Sequence, residues 1–154
     1  MINSKADLIK NIEKSTGKLP IFYQFDVINQ EAVTSIFNNH TIDSVIHFAS
    51  LKAVGESVEK PLAYYYNNLV STMVLAEACI KHGVNKFVFS SPATVYGDNK
   101  VPFVETMGLL SRTNPYGETK AMCERTLTDI GKANPEFSVS LPRYFNPGAL
   151  MRVV

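Results

Sequence analysis

Tryptophan is absent from the 154 residues, and cysteine occurs only at Cys79 and Cys123. Both cysteines fall inside helix-like patterns with no metal-ligand spacing, so they read as buried, reduced thiols and exclude a disulfide framework or a metal site. An excess of either charge is lacking as well: 15 basic and 14 acidic residues leave a formal net charge of +1. With no basic patch interleaved with aromatics, nothing calls for a nucleic acid or an acidic partner. The start, Met1-Ile2-Asn3-Ser4-Lys5, is neither a signal peptide nor a membrane segment, so the expected location is the cytoplasm. Nor does any G-x-G-x-x-G occur among the 8 glycines. The chain therefore has no glycine-rich turn of the kind that brings a pyrophosphate to a helix start. Internal repeats, low-complexity segments and linkers are missing too.

What is present is an alternation of elements. A hydrophobic content of 45% in 154 residues suits one ordinary domain with a real core. Ser4 can cap a first helix, with Asp7 in a capping-box position, running to about Ser15 before Gly17 ends it. The segment 20–26 reads as a strand, and Asn29 opens a second helix to about Asn39. Residues 44–49 form a short buried strand. A long helix is expected over 61–81, with Leu62, Tyr66, Leu69, Met73, Ala76 and Ile80 on one stripe and Gly83 at its end. A strand at 86–91, a helix from Pro115 to about Ala133 and a strand at 137–141 complete the series. Strands that alternate with helices and are apolar on both faces predict an α/β fold, a parallel sheet sandwiched by helices, of Rossmann type.

The chemistry gathers at Thr113-Asn114-Pro115-Tyr116-Gly117-Glu118-Thr119-Lys120. Asn114 can cap the helix and Pro115 suits its first turn. Tyr116 and Lys120, four apart, share one face. The stripe continues apolar through Cys123, Leu127 and Ile130, so the pair is expected to point inward. A cation beside a phenol stabilises the phenolate and lowers its pKa, and such a phenol can exchange a proton with an alcohol.

Three further stretches surround that pair: His47-Phe48-Ala49-Ser50-Leu51-Lys52-Ala53-Val54-Gly55-Glu56-Ser57, Ser90-Ser91-Pro92-Ala93-Thr94-Val95-Tyr96-Gly97, and Arg143-Tyr144-Phe145-Asn146-Pro147-Gly148. On these residues the chain resembles the extended short-chain dehydrogenase/reductase superfamily, and more narrowly the UDP-glucose 4-epimerase family, from Asn3 to about Gly148. The resemblance implies an isomerase of galactose metabolism that interconverts UDP-glucose and UDP-galactose. Hydride leaves sugar C4 for tightly held NAD, the 4-keto sugar turns over, and hydride returns to its other face. Tyr116 is then the acid/base on O4, and Lys120 lowers its pKa and binds the nicotinamide ribose. Asn3 and Ser4 match positions beside the adenine ribose, and Asp26 and Val27 match adenine contacts, though a plain strand end reads equally well. Phe48, Ala49, Ser50, Leu51 and Lys52 match the loop that runs past the cofactor, Lys52 also reaching substrate. Asn67 and Ser90 match cofactor contacts; Asn67 also fits a local backbone hydrogen bonder. Tyr144, Phe145 and Asn146 match a cofactor- and sugar-contacting turn, or an aromatic pair packing a core. His47 reads as a core histidine. The helices 61–81 and 115–133 are the pair through which the superfamily commonly forms homodimers.

Departures from the family carry equal weight. The family's catalytic serine falls at Pro92, which has no hydroxyl and no N–H. Alternation along a strand would place Ser90 and Thr94 on the same side as residue 92, which makes Thr94 the expected stand-in, toward substrate as well. Ser50 stands where the family has glycine. Residues 1–150 read as a partial NAD-binding domain that begins after the first strand, glycine turn, helix and second strand; 151–154 form a divergent tail. With strand order 3-2-1-4-5-6, the strands at 20–26 and 44–49 would stand roughly 14 Å apart, with unpaired edges. A non-catalytic remnant or dimerisation partner is the alternative, and a nucleotide-sugar dehydratase the alternative chemistry. No acid beside Thr94 is present to expel water, which disfavours the latter.

Overall fold

The computed structural model describes residues 8–108 and 114–145. The readings placed on Asn3, Ser4, Asn146 and the 151–154 tail lie outside them. Helix α1 (Leu8–Thr16) stops where Gly17 takes a left-handed φ of 68°, its N–H reaching Glu13 O at 2.8 Å. Helix α2 (Gln30–Asn39) starts as expected at Asn29, whose side chain accepts from Ala32 N–H, and buries Val33 and Phe37.

The strand expected at 20–26 does not form. The segment is irregular, and Leu19 (65% exposed) and Ile21 (72%) face outward. Local β-propensity is not enough, because a strand exists only with a ladder partner, and none of the described strands pairs with this segment, which lies against α2 instead. Its tie to the rest is a contact between the Tyr23 hydroxyl and His40 Nε2.

Beyond α2 run β1 (Val45–His47), α3 (Val54–Glu59), α4 (Pro61–Lys81), β2 (Lys86–Phe89), β3 (Ser91–Pro92), a 3₁₀ turn (Ala93–Tyr96), α5 (Pro115–Ala133), β4 (Ser138–Ser140) and β5 (Arg143–Tyr144). The main sheet has the order β1-β2-β4, all parallel, with Val45 opposite Phe87 and Phe87 opposite Val139. Each crossover steps one place in the same direction, as in one half of a doubly wound sheet. Strands β3 and β5 form a second, two-stranded parallel ladder. The break that separates it from the main sheet has a local cause. Pro142 has no N–H to continue a ladder, and its carbonyl instead accepts from Ser91 N–H at 3.0 Å.

Phe87, Phe89, Leu127, Val33 and Cys79 are each at most 1% exposed and hold the core between helices and sheet. Burial pushes the Cys79 thiol up to about 12, as an inert reduced cysteine requires.

Helix α4 has the expected limits but largely not the expected face. Of the stripe read along it, Ala76 is buried and Leu69 packs partly buried against the core, while Leu62 (83% exposed), Tyr66 (62%), Met73 and Ile80 point outward. The inward side carries Tyr64, Asn68, Ser71, Thr72 and Cys79 instead. Those polar groups find partners inside: Thr72 Oγ1 donates to Asn68 O at 2.8 Å, and His47 Nε2 lies 3.2 Å from the same hydroxyl. A hydropathy stripe counts such residues as solvent-facing. Hydrogen bonds make them interior.

Candidate active site at the carboxyl ends of the strands

A cleft of about 600 Å³ opens where the chain leaves β1 and β2 and enters α5. Phe48, Ser50 and Lys52 line it from the loop after β1, and Ser90, Ser91 and Pro92 from the β2–β3 junction. Tyr116 and Lys120 of α5 close one side, and Tyr144 and Phe145 the other.

The start of α5 is fixed as the sequence dictates. Asn114 Oδ1 accepts from Gly117 N–H at 2.9 Å, and Pro115 occupies the first turn. The inward stripe holds: Lys120 is 2% exposed, Cys123 1% and Leu127 fully buried. Lys120 Nζ donates to the Ser90 carbonyl at 2.9 Å and sits 4.4 Å over the Phe89 ring. Burial brings its pKa down to about 8, with Cys123 and Glu124 pulling the other way.

The phenol differs from expectation. Burial raises the Tyr116 pKa, and no lowering by Lys120 accompanies it. The ammonium is committed to a backbone carbonyl and an aromatic face, and with a pKa near 8 it is a readily discharged cation. Tyr116 and Lys120 share the cleft without forming the charge-coupled pair the spacing suggested.

The loop after β1 is pinned from α4. Asn68 Oδ1 accepts from Leu51 N–H at 2.8 Å, and the Tyr64 hydroxyl accepts from Ala53 N–H at 3.0 Å while donating to Glu56 Oε2. Burial, then the Glu56 carboxylate, raises the Tyr64 pKa.

Beneath the cleft lies an ion pair that sequence reasoning missed. Arg143 meets Glu124 through two bonds, Nε to Oε1 at 3.1 Å and Nη2 to Oε2 at 2.7 Å. Ser91 also donates its hydroxyl to Glu124, and the Arg143 guanidinium stacks 4.8 Å over Tyr96. The hydrogen bond to Glu124 foremost, then a hydrogen bond to Tyr96 and the charges of both groups, holds Arg143 well above its ordinary pKa against the opposing effect of burial.

Eight of the expected site residues thus meet in one cleft: Phe48, Ser50, Lys52, Ser90, Tyr116, Lys120, Tyr144 and Phe145. Ala49, Leu51 and Asn67 are not part of its lining. Asp26 is exposed and spends a carboxylate oxygen on Ile28 N–H, with Val27 partly buried against the core, both outside the cleft lining. Thr94 is also outside it. The strand ends at Pro92, and Thr94 sits exposed in the 3₁₀ turn, where two-residue alternation no longer holds. Strand alternation would turn Ser91 away from the cleft; it lines the cleft beside Ser90 and Pro92, while its hydroxyl is spent on Glu124. Among the described residues no group of His, Cys, Asp and Glu could hold a metal ion.

A half Rossmann sheet with a Tyr-x-x-x-Lys helix at the mouth of its strands defines a class. A family model described as the NAD dependent epimerase/dehydratase family matches residues 3–149, and the chain belongs to that family. Within it, the chain is similar to the UDP-glucose 4-epimerase of Neisseria gonorrhoeae, 53% identical over 148 residues that make up 96% of this chain and 44% of that protein. The UDP-glucose 4-epimerase of Erwinia amylovora is 50% identical over 146 residues, 94% of this chain and 43% of that one. Among solved structures, the UDP-glucose 4-epimerase of Bifidobacterium longum in complex with NAD+ and UDP superposes with a TM-score of 0.90 at 46% identity, over 94% of this chain and 43% of that one. The chain spans less than half the length of these relatives.

Proposed function

We propose that this chain carries the acid–base portion of a UDP-glucose 4-epimerase, acting on UDP-glucose and UDP-galactose with NAD. The observation that carries the reading is the cleft in which Tyr116, Lys120 and Lys52 meet at the strands' carboxyl ends. Its two lysines and hydroxyl-rich walls suit ribose and phosphate oxygens, so the residues present fit the nicotinamide side of the cofactor. The pyrophosphate side has no glycine turn in this chain. When bound, NAD supplies the acceptor and donor of hydride.

Tyr116 takes the proton of the sugar O4 hydroxyl and gives it back. Burial keeps the phenol protonated at neutral pH, so it must first release that proton to solvent. A positive charge brought into the cleft would favour that release, and only the phenolate can then take the O4 proton. Lys120, with a pKa near 8, holds ribose hydroxyls. Ser90 and Phe48 wall the cofactor side, and Lys52, Tyr144 and Phe145 the sugar side. Pro92 supplies no hydroxyl, and loss of one such donor typically costs about 10²–10³ in rate.

A chimera tests this: residues 3–149 replace the matching part of the Neisseria gonorrhoeae enzyme. We expect weak epimerase activity that Pro92→Ser raises about 100-fold and Tyr116→Phe abolishes. A folded chimera inactive even with Pro92→Ser would sink the reading. The chain alone is expected to purify with far less than one NAD per chain.

The bare apolar stripe of α4 favours a second role, pairing with another copy in a homodimer through α4 and α5. Sedimentation at micromolar concentration is expected to give twice the monomer mass, and Met73→Lys to halve it. A wild-type monomer would end that proposal. Among the described residues no helix is long and apolar enough to cross a membrane, and the buried free thiols suit the reducing cytoplasm in which we place the chain.

A further inference from the structure

The loop after β1 has no strand beside it, yet Leu51 has both backbone groups satisfied. Asn68 does this as a peptide unit would: Oδ1 accepts from Leu51 N–H at 2.8 Å and Nδ2 donates to Leu51 C=O at 3.1 Å. The second Nδ2 hydrogen goes to Thr119 Oγ1 at 3.1 Å, and the Thr119 hydroxyl donates to the carbonyl of Tyr116 at 2.8 Å. The amide orientation is set by this pattern, since a flipped amide would put an oxygen against Leu51 C=O and a nitrogen against Leu51 N–H. Asn68 is 1% exposed and Thr119 fully buried, so water cannot replace either partner. The Asn68 carbonyl extends the same node. It accepts from Thr72 Oγ1, which meets His47 Nε2 at the point where β1 hands over to the loop.

We propose that Asn68 is a positioning residue that couples the Ser50–Ala53 loop, through Thr119, to the backbone of Tyr116. It rests on the reading above in that Tyr116 and this loop are then the two sides of one reaction cleft. Whatever draws Lys52 or Ser50 toward a bound molecule also adjusts the turn that carries the phenol. The relay consists of one side-chain amide and one hydroxyl, with no flexible side chain in between.

The test uses the full chain without ligand. Amide hydrogen exchange at Leu51 and the titration midpoint of the Tyr116 phenol, followed by NMR, are compared in wild type, Asn68→Ala and Thr119→Val. Asn68→Ala is expected to speed Leu51 exchange about tenfold or more. Thr119→Val is the deciding variant, because it leaves both Leu51 bonds in place. It is expected to speed Leu51 exchange several-fold, leave the Val88 amide of β2 unchanged, and bring the Tyr116 midpoint down toward the ordinary tyrosine value of about 10. If Thr119→Val leaves either Leu51 exchange or the Tyr116 midpoint as in wild type, the coupling is overturned. Should Asn68→Ala unfold the protein, Thr119→Val still decides. Neither measurement involves NAD or a sugar, so an inactive chimera would refute the epimerase reading and leave this result standing.

Discussion

Acidification from pH 6.5 to pH 3 is expected to remove a large part of this protein's stability, and His47→Gln to abolish most of that dependence. The His47 ring is 2% exposed, with Phe89 and Phe87 ring centroids 5.6 and 6.2 Å away. Burial first, then the nearby Lys120 charge, holds its pKa at about 3 against an ordinary 6.5. Between those values the unfolded chain binds a proton that the folded chain refuses, so stability falls as pH falls through the window. The full effect is on the order of 5 kcal/mol, set against about 5–15 kcal/mol for a typical domain. Glutamine can still donate to Thr72 but cannot titrate. Urea midpoints at pH 7 and pH 4 check this. A drop between the two that is as large in His47→Gln as in wild type would show that another group carries the acid sensitivity.

Arg143→Met is expected to destabilise the fold by about 3–5 kcal/mol, because it strands a buried charge. The Glu124 side chain is 3% exposed and that of Arg143 17%, so solvent screens the pair little. Without Arg143 the carboxylate keeps the Ser91 hydroxyl but no cation facing it from β5. The double variant Glu124→Leu/Arg143→Met is expected to recover most of the loss, since an apolar pair of similar volume often equals a buried ion pair. Chemical denaturation of the single and double variants measures both values. A single-variant loss below about 1 kcal/mol, the level of an exposed pair, would contradict the account. The pair matters to the cleft as well. It ties α5, one turn past Lys120, to β5, whose Tyr144 and the Phe145 that follows line the cleft.

What the sequence made legible was local. Asn29 and Asn114 cap where their side chains can reach the next turn, Pro61 and Pro115 begin helices, and Gly17 and Gly83 end them with left-handed φ. That Tyr116 and Lys120 share a face followed from their spacing, because a helix fixes which residues do; their place in a site came from the resemblance of the stretches around them. Most of the misreadings were non-local. Segment 20–26 has the composition of a strand, but ladder bonds come from elsewhere. Thr94 was assigned by alternation that a 3₁₀ turn cancels. Asn68 was not singled out at all, and only folding brings it to Leu51 and Thr119, 17 and 51 residues away. The Glu124–Arg143 pair spans 19 residues and two elements, which no periodicity encodes.

The inverted character of α4 has a practical side. Its core contacts and its link to the reaction cleft run through Tyr64, Asn68 and Thr72, while Leu62, Tyr66, Met73 and Ile80 face outward. The two sets do not overlap along the sequence. Recoding the outer residues would therefore weaken or redirect the proposed pairing between copies while leaving the inner contacts of the helix in place.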